Sequence, residues 1–293
     1  VMLVNALNYT YEAEMQGGCN GNGYLAQADV LGITKSVTGV SEIPSTRGEV
    51  IKMVYNSLLA DYKDIKSYVN GAPTYAAEET LAEAKFEVIE GKGTLMATSK
   101  TTLTDTKMQE NQIQIKDSKE VKDEDQIKTY DCTLTGLEEY LAQKITFYYR
   151  ENSGRTPEVL AVANDTTKSD TFVIEDIKDI ESVTGFESNK GSIKLSGTGR
   201  AKDCTKASII YNGKLITNKI YEDLKAKAAS SIRDWKFGKD INDLFLPEIG
   251  SIRLVDSDRD GVFDVVFLDS YVTMVVSSAS SDKLNGIVAD TTS

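Results

Sequence analysis

Ser45-Thr46-Arg47-Gly48-Glu49-Val50-Ile51-Lys52-Met53-Val54-Tyr55-Asn56-Ser57-Leu58 decides how the N-terminal part of this chain folds. Thr46 and Glu49 stand at capping-box spacing: the hydroxyl accepts the backbone N–H three residues on, and the carboxylate reaches back to the first one. Behind the cap, Val50, Met53, Val54 and Leu58 recur at i, i+3, i+4 and i+8. That is one apolar stripe on a helix, and such a stripe must pack on another element.

Working toward the N-terminus, residues 24–31 read as a second helix that Gly32 closes in the left-handed conformation. The tract Gly17-Gly18-Cys19-Asn20-Gly21-Asn22-Gly23 before it reads as a loop. Met2-Leu3-Val4-Asn5-Ala6-Leu7-Asn8-Tyr9 echoes Met53-Val54-Tyr55-Asn56-Ser57-Leu58-Leu59-Ala60. An echo of this kind fits a helical repeat whose face is buried by its neighbours. Residues 1–62 therefore read as helical. Residues 63–85 read as a connector, with helix continuing over 63–68 until Gly71-Ala72-Pro73 breaks it.

Gly23-Tyr24-Leu25-Ala26-Gln27-Ala28-Asp29-Val30-Leu31-Gly32-Ile33, followed by Ser45-Thr46-Arg47-Gly48-Glu49 and its helix, resembles an S-layer homology repeat. That family pairs a helix ending in Leu-Gly-Ile with a second helix opened by Thr-Arg-x-Glu. The resemblance covers one repeat and the tail of its predecessor, roughly a fifth of the chain. It implies a secreted bacterial protein held at the cell envelope, often by secondary cell-wall polysaccharide. Carried over residue by residue, it makes Arg47 and Tyr24 the glycan-binding candidates. The physical reason for Arg47 is that a guanidinium beside helix N–H groups attracts an acidic sugar. The competing role is a surface or inter-repeat salt bridge. The family's opening Phe-x-Asp element and its Gly-Asp-Gly-x-Phe-x-Pro loop are absent; Thr38-Gly39-Val40-Ser41-Glu42-Ile43-Pro44 stands in place of the loop.

From Phe86 onward the texture changes to β. Strands are expected at 86–98, 112–116, 129–135, 144–149 and 158–164, with a turn at Asn152-Ser153-Gly154. The charged stretch 116–125 reads as a solvated loop. A second set is expected at 171–174, 191–195, 207–211, 251–255, 262–267 and 272–276. Asn212-Gly213 marks a tight hairpin turn, because both residues tolerate positive φ. Ile220, Leu224, Ala228, Ile232 and Trp235 recur about every fourth residue and predict an inserted helix with Trp235 as a core anchor. Residues 207–276 also look similar, more loosely, to β regions that follow such repeats in envelope proteins of Gram-positive bacteria.

The expected fold class is thus α+β multidomain: an N-terminal helical repeat of S-layer-homology type followed by two mainly antiparallel β modules, the second with an inserted helix. Its divisions are 1–62, the connector 63–85, β modules at 86–165 and 166–276, and a further segment or tail at 277–293. The opening Val1-Met2-Leu3-Val4 lies inside an apolar periodic stretch, which reads as a piece of a longer chain.

Composition narrows the chemistry. The 293 residues contain no histidine, and 33 Lys plus Arg face 45 Asp plus Glu, for a net charge of −12. Ser-His-Asp and Cys-His nucleophile systems, histidine-bearing zinc sites and imidazole switches are excluded. The acidic balance argues against nucleic acid as partner. No run of about 18 apolar residues proposes a membrane span. Cys19, Cys132 and Cys204 are an odd number without CxxC spacing, and read as reduced packing residues. Adjacent carboxylates such as Glu138-Glu139 diverge and do not make a glycosidase pair. No nucleophile is placed with a base, so the chain is not expected to be an enzyme.

One acidic constellation stands out: Asp256-Ser257-Asp258-Arg259-Asp260-Gly261-Val262-Phe263-Asp264. Carboxylates at Asp256, Asp258 and Asp260, with Gly261 for the bend, resemble the first half of a calcium loop. These three and Asp264 are the candidate metal ligands, with Ca2+ as the cofactor. The twelfth position of an EF-hand, normally Glu, is Phe267, and the flanks read as strands; a plain Asp/Gly hairpin turn is the alternative. The expected function is a structural, S-layer-type protein of the bacterial cell surface. It would assemble with its own copies or other envelope proteins. The alternatives are a carbohydrate-binding anchor for secondary cell-wall polysaccharide, or the non-catalytic region of a secreted enzyme.

Overall fold

The structure, a computed structural model, describes residues 1–18, 21–38, 44–76, 79–104, 106–118, 126–186, 190–205, 207–216, 250–271, 274–281 and 284–288. The chain is mixed α+β and rich in strands. It divides into two compact units, Val1–Ile89 and Glu90–Ser293.

The first unit opens with helices α1 (Met2–Ala6), α2 (Thr10–Gly17), α3 (Gly21–Val30) and α4 (Arg47–Leu58). At α4 the expected cap is present: Thr46 Oγ1 accepts the Glu49 N–H at 3.3 Å, and Glu49 Oε2 accepts the Thr46 N–H at 2.8 Å. At the end of α3 the Gly32 N–H reaches Asp29 O and the Ile33 N–H reaches Ala28 O, with Gly32 at φ +72. This is a Schellman ending, and the following apolar residue, Ile33, is buried against the helix as such endings favour. The Asn56 amide of α4 donates to Ile33 O at 2.9 Å and Lys35 O at 3.1 Å, tying α4 to that turn.

Three expectations fail in this unit. Gly21-Asn22-Gly23 is not loop but the first turn of α3. A Cβ on Gly23 would collide with the Ala13 carbonyl, so glycine here serves a close helix crossing rather than a bend. The apolar stripe of α4 is only half packed: Met53 and Leu58 are half-buried, whereas Val50 (45%) and Val54 (43%) stay exposed, as do Ile51 and Tyr55 beside them. Residues 63–85 are not a connector, and no helix continues over 63–68. After β1 (Asp61–Tyr62) they form a hairpin, β2 (Ile65–Val69) and β3 (Ala72–Tyr75), then β4 (Glu79–Thr80) and α5 (Leu81–Phe86). Asn70 (φ +51) and Gly71 (φ +83) make the hairpin turn. Thr80 and Glu83 form a second capping box on α5, and β1 pairs with β4. The core holds Val4, Leu7, Tyr9, Ala13, Tyr24, Ala28, Ile33 and Ala60.

In the second unit β5 (Ile89–Ala97), β6 (Gln112–Asp117), β7 (Ile127–Asp131), β8 (Lys144–Arg150) and β9 (Glu158–Asn164) close a barrel in the order β5-β6-β7-β9-β8. The strand expected from Phe86 starts later because α5 runs to Phe86 and Glu87 caps it at φ +56. The strand expected over 129–135 ends at Asp131. The β7–β9 pair is parallel, and β5–β6, β6–β7 and β8–β9 are antiparallel. Closure of β8 onto β5 runs through Leu95 N–H to Gln143 O (3.2 Å) and Ala142 N–H to Leu95 O (2.9 Å). This is the connectivity of a five-stranded Greek-key barrel of OB type. A 3-10 turn, Leu137–Tyr140, precedes β8, and Leu137 and Leu141 are buried in the barrel core beside Tyr130 and Phe147.

After the barrel come β10 (Asp170–Ile174), β11 (Ile180–Thr184), β12 (Gly191–Leu195), β13 (Lys202–Cys204), β14 (Ser208–Tyr211), β15 (Lys214–Leu215), β16 (Gly250–Asp256), β17 (Val265–Ser270), β18 (Met274–Ala279) and β19 (Leu284–Val288). The sheet β10-β16-β17-β14-β15 is antiparallel except for β14 beside β17. Along β17, Val265 and Phe267 join the barrel core while Val266 and Leu268 join the core under β11-β12-β13. A strand covered on both faces reads as a continuous apolar run, which is why Val265-Val266-Phe267-Leu268 does not alternate. The expected strand 262–267 is accordingly β17, displaced toward the C-terminus by the acidic loop. The expected strand 272–276 falls instead on β18, which pairs with β19.

The two β modules expected at 86–165 and 166–276 fall within one unit. They share a core, since Ile210, Val255, Val265 and Phe267 pack with the barrel residues. The predicted helix carrying Ile220 to Trp235, and Cys19, lie outside the described residues. Cys132 and Cys204 are free and buried, and burial with neighbouring Asp203 pushes the Cys204 thiol up to about 12.

Candidate cation loop and helical groove

The acidic loop joins β16 to β17. Val255 pairs with Val265, so the nine residues between them leave the ladder together. Asp256 is 3% exposed, and its two carboxylate oxygens organise the loop from below. Oδ1 accepts the N–H of Arg259 at 2.6 Å and of Asp258 at 3.3 Å, and Oδ2 accepts the Gly261 N–H at 2.8 Å. Asp258 Oδ1 accepts the Asp260 N–H at 3.3 Å, and Asp260 Oδ1 accepts the Val262 N–H at 2.7 Å. Each aspartate therefore turns the chain toward the next. Gly261, at φ +92, takes the backbone conformation that side chains avoid.

Asp256, Asp258 and Asp260 each offer a carboxylate oxygen within 4.8 Å of the others. The fourth sequence candidate, Asp264, is not part of that group. Its Oδ2 accepts the Ser257 N–H at 2.9 Å and closes the neck of the loop. Partial desolvation raises the Asp258 carboxyl above the ordinary aspartate value. Repulsion from Asp260, Asp264 and Asp256 adds to this, and the Asp260 N–H works against it. The Arg259 guanidinium does not neutralise the group but points to Thr166 O (3.4 Å) and Thr167 O (3.3 Å). Three oxygens of one charge beside a glycine bend are hard-cation chemistry. Backbone N–H groups already stabilise the same carboxylates, which suits a plain turn as well.

The glycan candidates lie in the first unit. Tyr24 is 7% exposed, packed in the helical core, and its hydroxyl donates to Glu14 Oε1 at 3.1 Å. One edge of it lines a groove of about 550 Å³ between α1, α3 and α4, whose walls include Met2, Leu25, Ala28, Ser45 and Met53. Arg47 is exposed at the first position of α4, and is not among the residues walling that groove. The structure thus does not join Tyr24 and Arg47 in one pocket.

Sequence reasoning missed a third constellation, in the first unit. Glu12 Oε1 accepts from Lys63 Nζ at 2.6 Å and from the Tyr75 hydroxyl at 2.7 Å, while Lys63 lies between the rings of Tyr9 and Tyr75. The signal that could have found it is Asn70-Gly71, which turns the chain back and brings Tyr75 alongside Lys63.

No family model, curated protein or solved structure matches the chain. Among the described residues no helix is long and apolar enough to cross a membrane.

Proposed function

We propose that the chain is a non-catalytic structural protein of the bacterial cell surface, of S-layer type, that works by assembling with its own copies or with other envelope proteins. The observation that carries this reading is the α3–turn–α4 unit. The residues of the S-layer-homology resemblance hold its structural positions: Gly32 and Ile33 in the Schellman ending, Thr46 and Glu49 in the capping box, and Asn56 joining the two. The exposed apolar residues Val50, Ile51 and Val54 of α4 suit packing against a further repeat. The doubly covered β17 makes the β-rich unit suited to a construction role.

Within this proposal Ca2+ occupies the loop of Asp256, Asp258 and Asp260, with Asp264 holding the loop closed. A cation there would offset the mutual repulsion of four carboxylates in a chain of net charge −12. Calcium titration followed by thermal unfolding tests the site: the melting temperature rises at millimolar calcium but not at equal ionic strength of sodium chloride. An unchanged melting temperature removes calcium from the reading.

The second reading, an anchor for cell-wall polysaccharide, is favoured by the exposed Arg47 at the start of α4. Co-sedimentation with purified Gram-positive cell walls separates the two. An anchor binds the walls and loses binding in Arg47→Ala; an assembly protein gives the same result for both chains.

A further inference from the structure

The cluster around Glu12 belongs neither to the α3–α4 unit nor to the acidic loop. Residues 64–76 leave the helical core as an arm, the β2–β3 hairpin, with exposed Tyr68 (67%) and Val69 (56%) at its tip. Its neck is closed by the β1–β4 pair and by the Ala76 N–H on Asp64 O at 2.8 Å. Just before the arm, Lys63 is pinned by its N–H on Leu7 O (3.1 Å) and by the Asn8 amide on its carbonyl (2.7 Å). Within the arm, Ser67 and Thr74 hydrogen-bond to each other. Among the described residues, Tyr75 is the one arm residue whose side chain hydrogen-bonds α1–α4, and its partner is Glu12.

We propose that the β2–β3 hairpin is a hinged arm, latched to α2 by Glu12 through Lys63 and Tyr75, and able to swing when the latch opens. Three features of the geometry argue for a latch rather than a rigid weld. The attachment converges on one oxygen, Glu12 Oε1. The closed state is therefore held through a single acceptor, whose loss releases the arm. The hinge is already built, because the pinned neck keeps its own backbone bonds whether or not the arm is seated. Lys63, sandwiched 4.5 Å from the Tyr9 ring centre and 4.2 Å from that of Tyr75, is the piece shared by both sides. Opening withdraws the Tyr75 ring and leaves Lys63 on Tyr9 and Glu12. The arm then carries Tyr68 and Val69 through an arc about the neck.

Backbone hydrogen exchange on the full chain tests this. In Glu12→Gln the amides of 65–75 exchange about tenfold faster, the loss of a charged acceptor, while those of α3 and α4 keep their rates. Tyr75→Phe moves the same amides in the same direction by less. The proposal is overturned if arm amides exchange at the original rate in both variants. It is equally overturned if arm and helices accelerate together, which would make Glu12 an ordinary part of the core.

Discussion

At the residue scale, position decides what each side chain does more than its type. Gly91 and Phe147 show this on the barrel: a Cβ on Gly91 would collide with the Phe147 ring, which sits edge-on to Tyr130 at 5.3 Å. Gly91→Ala is expected to destabilise the second unit by about 1–3 kcal/mol through overpacking. Combining it with Phe147→Leu should recover part of that loss, a non-additivity that denaturant unfolding of the double mutant measures. Glu12 supplies a pH dependence. Burial alone would raise its carboxyl, but hydrogen bonds from Lys63 and Tyr75 outweigh this and hold it below the ordinary value of 4.5. A carboxyl lowered by folding adds stability above the unfolded value and loses it as pH falls through the folded one. The groups facing it are Lys63 and Tyr75. Arm protection should therefore stay level above that ordinary carboxylate value and fall as the pH drops below it. Glu12→Gln should flatten that fall.

At the element scale, caps and turns govern. Gly32 at φ +72 closes α3, and Gly32→Ala should cost about 1 kcal/mol with the Ile33 contact kept. Arg253 joins the barrel to the sheet beside it: its guanidinium donates to Glu138 O and Glu139 O, each at 3.0 Å, and lies 4.0 Å over the Phe267 ring. Arg253→Met should lower stability by about 1–3 kcal/mol and raise exchange in residues 137–140, with the outer sheet β11-β12-β13 unaffected. Much of this level was legible in the sequence. The capping box at Thr46, the turn at Asn212-Gly213 and the strands at 112–116, 144–149 and 158–164 all carry local chemistry that dictates local geometry. What escaped reading was decided at a distance. Gly21–Gly23 looked like a loop because nothing nearby shows that α2 will cross there. The 63–85 segment looked like a connector because its short strands find their partners within a hairpin and across 18 residues, not through periodicity. The acidic loop was legible as four candidate aspartates, of which three come together, whereas the part Asp264 plays depends on Ser257 across the loop neck.

At the scale of the whole molecule, charge and covered surface point the same way. A chain of net charge −12 without histidine offers little proton chemistry near neutral pH. Its two units bury separate cores, and the second sandwiches β17 between the barrel and β11-β12-β13. That sharing predicts that residues 90–271 unfold in one transition rather than two, which calorimetry of that unit within the full chain would register as a single cooperative peak. Assembly of the chain with its own copies is open to sedimentation velocity. Over rising protein concentration, with and without millimolar calcium, the sedimentation coefficient is expected to grow with protein and to grow further with calcium. A single monomeric species at every concentration of both would contradict it.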